Sequence, residues 1–417
     1  MHYKKPHILV IHENFGHRGG AEKLTYHIAK DLGQEFVFSC MYGQKTGQGE
    51  TDWQACFPAN YQIDFKSKTG LKEALEGHLH HTKPDLILAH KCENPLMLQA
   101  VVESQIPSIR WMHDHEVYCM RGYKYFPLTR KICTKKAGLC CLFPCLAFLK
   151  RDRTSCYGFQ YESYCRKQAV IHFDQQFSRY IVGSYFMKEE LIAQGYYEDN
   201  IEVIPYVPEC SALFSASKMK RENLLLFIGQ IVRGKGLDVL LASLRDVAAP
   251  YRLLVVGTGS YEQECRRLAQ KLRIAEKVEF VGFLPEQEIV NISARACALV
   301  VPSVWPEPFG LVGIECMRFG LPVIGFDSGG IKDWLVNGKN GILIPWMDRR
   351  ALSEAIEKIL QDPQLAHDLG EGAKEFAEEE FSCSSALGQI QKIFLEGIKA
   401  RKEFNKHQLG SAQYNLG

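Results

Sequence analysis

The chain has 417 residues, 46% hydrophobic and 24% charged, with 50 Lys and Arg against 48 Asp and Glu for a net charge of +2. That length exceeds one ordinary core and points to two domains, and the composition excludes a disordered or fibrous chain. The near-balance of charge excludes a whole-protein field that would draw the chain to nucleic acid.

Short β-branched and apolar runs alternate with stretches of helical period from start to finish, the pattern of βα units around parallel sheets. His7-Ile-Leu-Val-Ile11 opens the chain as a strand and is too short for a signal-peptide core. No run approaches the roughly 18 apolar residues that a bilayer span needs. The expectation is a cytoplasmic protein, with any membrane contact peripheral. Further strands are predicted at Phe36–Cys40, Asp85–Ala89, Ser108–Trp111 and Tyr180–Gly183, completing a first sheet. Ile204-Pro-Tyr-Val-Pro208 interrupts the pattern with two prolines and reads as a hinge. A second series follows at Leu224–Ile228, Tyr251–Val256, Lys277–Val281, Ala298–Val301 and Pro322–Gly325. Two α/β, doubly wound domains are therefore expected, spanning 1–205 and 206–385. The tail 386–417 places Leu387, Ile390, Ile393 and Phe394 on one helical face and is expected to pack back onto the first domain.

The segment from about His115 to Lys167 has no clean period and reads as an insertion in the first domain. It holds seven of the 15 cysteines: Cys119, Cys133, Cys140, Cys141, Cys145, Cys156 and Cys165. In a chain without an export signal these read as thiols or metal ligands more readily than as disulfides. A structural zinc on Cys133, Cys140, Cys141, Cys145, Cys156 and Cys165 and a set of buried thiols are both compatible with the spacing. Basic residues (Arg121, Lys124, Arg130, Lys131, Lys135, Lys136, Lys150, Arg151, Arg153) flank the apolar run Leu139–Leu149. That arrangement suits an anionic membrane surface or a phosphorylated acceptor, the alternative being a solvated lid.

The densest chemistry lies in Val301-Pro-Ser-Val-Trp-Pro-Glu-Pro-Phe-Gly-Leu-Val-Gly-Ile-Glu315. A strand ends at Val301, a proline-punctuated loop carries Glu307, and Gly310 opens a helix through about Phe319 that carries Glu315. The unpaired N–H groups at such a helix start suit a phosphate, and two acids can accept hydrogen bonds from sugar hydroxyls. Glu307-Pro-Phe-Gly-Leu-Val-Gly-Ile-Glu315 resembles the E-x7-E motif of retaining glycosyltransferases of the GT-B fold, in particular glycosyltransferase family 4. The resemblance implies two facing Rossmann-like domains with an interdomain cleft. It implies further that Glu307 binds donor-sugar hydroxyls, that amides from Phe309, Gly310 and Leu311 reach the distal phosphate or sugar, and that Glu315 holds the ribose.

Gly229-Gln-Ile-Val-Arg-Gly-Lys-Gly236 is similar to the family's Gly-Arg-x4-Lys-Gly segment, so Lys235 is expected to neutralise the diphosphate. The family's arginine is replaced by Gln230, which leaves Arg233, or Arg18 from the first domain, as the candidate substitute. Gly257 and Gly259 match a Gly-x-Gly turn where backbone approaches the nucleotide, and Phe283 lies where relatives contact the base. Glu262 stands where a dinucleotide fingerprint has its third glycine, which argues against a nicotinamide or flavin site. Gly19 and Gly20 match a turn facing the donor phosphate, and His113, just past a strand end, is expected to touch the transferred sugar.

The function so implied is retaining transfer of a hexose-type sugar from a UDP- or GDP-sugar to a glycan or lipid-linked acceptor. No cofactor or catalytic metal is expected, and the departing phosphate can take the acceptor's proton. The competing readings are a nucleotide-sugar-binding protein without transfer activity, which Gln230 favours, and another GT-B enzyme such as a sugar-nucleotide epimerase.

Overall fold

The computed structural model describes residues 5–65, 67, 70–126, 128–151, 159–208 and 221–414. The chain forms two compact units: residues 1–122, 134–208 and 383–417 make the first, and residues 123–133 and 209–382 the second.

The first unit runs β1 (His7–Phe15), α1 (Gly20–Asp31), β2 (Val37–Lys45), α2 (Glu50–Cys56), β3 (Ala59–Gln62), α3 (Leu71–Thr82), β4 (Leu86–Ala89), α4 (Pro95–Glu103) and β5 (Ser108–Met112). After the insertion, in which β6 (Leu149–Arg151) and β7 (Phe159–Tyr161) pair antiparallel, come α5 (Tyr164–Asp174), β8 (Arg179–Val182), α6 (Tyr185–Gln194) and β9 (Ile201–Val203). Seven strands form one parallel sheet in the order β3-β2-β1-β4-β5-β8-β9. Val10 sits in register with Cys40 on one side and Leu88 on the other. Such central strands are apolar throughout because helices cover both faces of the sheet.

The second unit runs β10 (Leu224–Ile228), α7 (Leu237–Leu244), β11 (Arg252–Val256), α8 (Glu262–Lys271), β12 (Val278–Gly282), α9 (Glu286–Arg295), β13 (Ala298–Val301), α10 (Leu311–Met317), β14 (Val323–Phe326), β15 (Gly341–Ile344), α11 (Arg349–Gln361) and α12 (Pro363–Glu380). Its six parallel strands lie in the order β12-β11-β10-β13-β14-β15. In both sheets the winding direction reverses beside the first strand, between β1 and β4 and between β10 and β13. Loops at the carboxyl ends of strands on either side of such a reversal are where α/β sheets take ligands.

Each of the ten predicted strands is present, most with ends displaced by a residue or more. Missing from the prediction are β3, an edge strand with largely exposed residues, β6 and β7 in the insertion, β9, only three residues long, and β15, which starts on a glycine. The helix predicted from Gly310 to about Phe319 is shorter, with Gly310 at φ +88° as its cap and Arg318 ending it. Ile204, Tyr206, Val207 and Pro208 are buried, and the Tyr206 hydroxyl meets Asp31 Oδ2 at 3.0 Å, so the proline-punctuated stretch is packed into the first unit. The last helix, α13 (Cys383–Tyr414), completes the first unit. Its Ile390, Ile393, Phe394 and Ile398 are buried, and Phe394 sets its ring 5.6 Å from Phe36. Among the described residues no helix is long and apolar enough to cross a membrane.

Candidate functional site

The strand β13 delivers Pro302 to Glu307 to the carboxyl edge of the second sheet, and β10 delivers Gly229 to Gly236 beside it. Glu307 is 3% exposed, yet it is densely paired. Its Oε1 accepts from Lys235 Nζ at 2.7 Å, from Ser303 Oγ at 2.5 Å and from the Trp305 indole N–H at 2.7 Å, while Oε2 accepts from Lys235 Nζ at 3.0 Å. Burial pushes the carboxyl's pKa up, but the Lys235 charge and the bonds from Lys235, Ser303 and Trp305 outweigh it and hold the group below the ordinary carboxylate value. Glu307 is thus an ionised acceptor whose Oε2 retains lone-pair capacity for a further donor. Lys235 directs two of its bonds to Glu307, and its ammonium lies 5.1 Å from the centre of the Trp305 ring.

Glycines close this arrangement by steric necessity. The Gly234 carbonyl accepts from the Val304 and Trp305 amides, and a Cβ on Gly234 would fall 2.6 Å from the Trp305 ring. At Gly236, φ +72°, a Cβ would meet the Pro302 carbonyl at 1.8 Å. Glu307 is clamped from its other side, its amide donating to Ser328 O and its carbonyl accepting from Gly330 N, while Gly329 at φ +65° leaves no room for a side chain. Beyond it, Trp334 donates its indole N–H to the Phe309 carbonyl at 2.5 Å and lies against Gly313, where a Cβ would sit 2.2 Å from the ring. Glu315 is half-buried on α10.

Gly257 and Gly259 have a reason that sequence reading did not supply. A Cβ on Gly257 would lie 2.1 Å from the Gly229 carbonyl, and one on Gly259 2.2 Å from the Ile231 carbonyl. Their bareness admits the neighbouring loop of the protein itself. Gln230 is exposed, Arg233 is half-buried in the single 3-10 turn Arg233–Lys235, and Phe283 is 77% exposed beyond β12.

In the first unit, His113 follows β5 and meets His90, which follows β4, with Nε2 of His113 2.8 Å from Nδ1 of His90. The Thr25 hydroxyl donates to the Ala21 carbonyl and lies 3.1 Å from the same His90 Nδ1. Both contacts converge on His90 Nδ1, so the tautomers of His90 and His113 are set together. The His12 ring lies tilted, 5.7 Å from His90. Burial drives all three rings toward the neutral form, His12 down to about 4, His113 to about 3 and His90 well below its usual value. Beneath them the buried Arg110 reaches the His90 and Cys92 carbonyls and pairs with Asp174 at 2.8 Å. Lys91 bonds Asp114 at 3.1 Å and Glu116 at 3.4 Å.

Gly19, the exposed cap of α1, has φ −160°, which any residue adopts, and Gly20 beside it is exposed as well. A Cβ on Gly19 would make only an ordinary contact, 3.4 Å from Glu22 Oε2. Arg18 is exposed, with Nη1 3.5 Å from Asn14 Oδ1. Among the described residues no three His, Cys, Asp or Glu side chains converge as a metal site. Cys133 belongs to the second unit, Cys140, Cys141, Cys145 and Cys165 to the first, and Cys156 lies outside the described residues.

Residues 212–376 match the family model described as glycosyl transferases group 1. Over that segment the chain is similar to the family. An uncharacterized glycosyltransferase of Methanocaldococcus jannaschii is 29% identical over 174 residues, covering 42% of this chain and 48% of the relative. The chain thus spans about half the length of the curated relatives it matches. Over the whole chain the likeness is one of fold. Sucrose-phosphate synthase from Thermosynechococcus elongatus gives a TM-score of 0.70 at 19% identity, covering 95% of this chain and 100% of that one. HepE of Anabaena in complex with UDP-glucose gives 0.69 at 18%, covering 93% and 99%. The fold is GT-B, built of two Rossmann-like domains.

Sequence reading singled out Glu307 and Lys235 but missed Ser303 and Trp305, four and two residues before Glu307 in the same segment, and His12 and His90 at strand ends. Their polar side chains beside strand termini were the available signal.

Proposed function

We propose that the chain is a nucleotide-sugar-dependent glycosyltransferase acting with retention on a hexose donor. The observation that carries the reading is the Glu307 carboxylate, buried, ionised and with a single bond on Oε2, at the reversal point of a domain similar to group 1. A sugar hydroxyl donating to Oε2 would be fixed against a charge that needs no reorganisation when the bond to the diphosphate loosens. The anomeric carbon–oxygen bond to the diphosphate breaks, the acceptor oxygen bonds to the same face of that carbon, and its proton leaves on the departing phosphate. Neutral His113 is proposed to contact the transferred sugar, and Gly19, Gly20 and the Phe309–Leu311 amides to approach phosphate oxygens. The Anabaena fold neighbour holds UDP-glucose, which makes a UDP-hexose the first donor to try, with GDP-hexoses next.

Thermal unfolding with a panel of UDP-, GDP- and ADP-sugars tests this, comparing the native chain with Glu307→Ala. One donor class is expected to stabilise the native chain by about 2.7 kcal/mol at a hundredfold excess over Kd, and the variant far less. No response to any nucleotide sugar overturns the reading. Gln230 in place of the family's arginine supports a second one, donor binding without transfer. Donor stabilisation with no product on any acceptor would favour it.

The acceptor is proposed to be a glycan or a lipid-linked molecule at an anionic membrane surface. Leu139 (74% exposed), Phe143 (78%) and Leu146 (44%) stand out from the insertion, rooted by buried Ala147 and by Arg121 Nη2 on the Cys145 and Leu146 carbonyls, with exposed Lys135 and Lys136 nearby in sequence. Co-sedimentation with phosphatidylglycerol vesicles but not with phosphatidylcholine vesicles is expected. Equal binding to both, or none, removes the membrane from the proposal.

A further inference from the structure

Residues 123–133 belong to the second compact unit, although in sequence they lie between β5 and α5 of the first. They fold as a tight loop: the Arg130 amide donates to the Phe126 carbonyl at 2.8 Å and the Cys133 amide to the Lys124 carbonyl at 2.7 Å. Lys124, Tyr125 and Arg130 are 3%, 7% and 8% exposed. The Arg130 fork grips Asp238 with both arms, Nη1 to Oδ1 at 3.3 Å and Nη2 to Oδ2 at 2.5 Å. Burial works against the guanidinium's charge, and the bonds and charge of Asp238 more than restore it.

Asp238 lies in the first turn of α7, directly after the turn Arg233–Lys235. An acid in that position opposes any anion held by the turn, and half-burial strengthens the opposition because the surroundings screen poorly. Arg233 shares this environment: the Tyr125 and Tyr261 hydroxyls both feel the Arg130 and Arg233 charges together with Asp238. Across the group, Arg130, Arg233 and Lys235 against Asp238 and Glu307 leave one net positive charge. Without Arg130 none remains.

We propose that Arg130 is a positioning residue for the donor, a cation supplied by the insertion that neutralises Asp238 and so leaves the diphosphate turn with surplus positive charge despite Gln230. This rests on the donor reading above. Because Arg130 acts through Asp238 and does not touch the diphosphate, deleting the acid repairs the loss of the base.

Calorimetric titration of UDP and GDP into the full chain and its Arg130→Ala, Arg130→Lys and Arg130→Ala/Asp238→Asn variants tests the point, with thermal melts recorded for each. Arg130→Ala is expected to weaken binding on the order of tenfold, more so at low salt, while the double variant returns to within about threefold of the native chain. Arg130→Lys, which keeps the charge but loses the fork, falls between. Unchanged affinity in Arg130→Ala overturns the proposal, as does a double variant as weak as the single one, since packing or direct phosphate contact would then explain the loss. If Arg130→Ala does not fold, Arg130→Gln/Asp238→Asn carries the test: near-native affinity supports the proposal and a tenfold loss overturns it. A native chain that binds no nucleotide overturns the donor reading, and this one with it. A native chain that binds while Arg130→Ala binds equally overturns this one alone.

Discussion

The two units share a winding order and place their polar residues at equivalent strand ends, yet they treat charge in opposite ways. In the second, the ion pair itself stands at the sheet edge, Lys235 on Glu307, and glycine backbones are pressed around it. In the first, the charged pair Arg110–Asp174 is sunk below the edge, and what it supports there is a row of neutral histidines. A charged edge is suited to hold hydroxyls and anions. A neutral, desolvated edge can donate or accept a hydrogen bond without bringing net charge. One framework can therefore present either surface, depending on whether the ion pair lies in the edge or under it.

The largest effect expected from this contrast is on stability in the first unit. Arg110→Ala strands Asp174 with its charge buried and should cost about 3–5 kcal/mol, read as lost hydrogen-exchange protection in β4, β5 and β8 with the second unit's strands still protected. Equal loss in both units would mean that the pair is not local to the histidine edge. In the second unit the equivalent change should fall on chemistry. Glu307→Gln keeps shape and most hydrogen bonds but removes the charge, and should lower kcat about a hundredfold with little change in melting temperature. A variant that melts early and turns over normally would make the Glu307 network structural, like Arg110–Asp174.

Acid should separate the units more gently. Buried neutral histidines bind protons in the unfolded state from about pH 6.5 downward but resist them when folded until about pH 4 or 3, so they stabilise the first unit fully above pH 6.5 and lose that contribution as pH falls. Each can contribute a slope of up to about 1.4 kcal/mol per pH unit. Glu116, raised to about 7 by burial and by Asp114, runs the other way, as does Asp174, raised by burial. Glu307, held below its ordinary value, adds loss only at more acidic pH. Denaturant unfolding at pH 7 and pH 5 should therefore show the first unit weakening first; a flat profile would show that the histidines are not desolvated. The smallest effect is expected at the exposed Gln230. Gln230→Arg should tighten UDP binding a few-fold and leave stability within about 0.5 kcal/mol. No gain in affinity would indicate that the phosphate side is already complete without it.

Much of this was readable from the chain itself. Parallel strands buried on both faces must be continuous apolar runs, so Leu224–Ile228 and Ala298–Val301 declared themselves, and with them the places where loops leave the sheet. The spacing from Glu307 to Glu315 and the position of Lys235 followed from local pattern. What local pattern does not carry is which residues meet across loops. Lys235 and Glu307 are 72 positions apart, and only the pairing of β10 with β13 makes them partners. That the glycines at 257 and 259 also make room for the backbone at Gly229 and Ile231 is a steric requirement set by the fold. Arg130, 108 positions from Asp238, sat in a segment with no period to read. Composition and periodicity thus determined the two sheets and their loop ends, because burial and hydrogen bonding act along each segment. The neighbours of each charge were decided only by the tertiary structure, because electrostatic pairing acts through space.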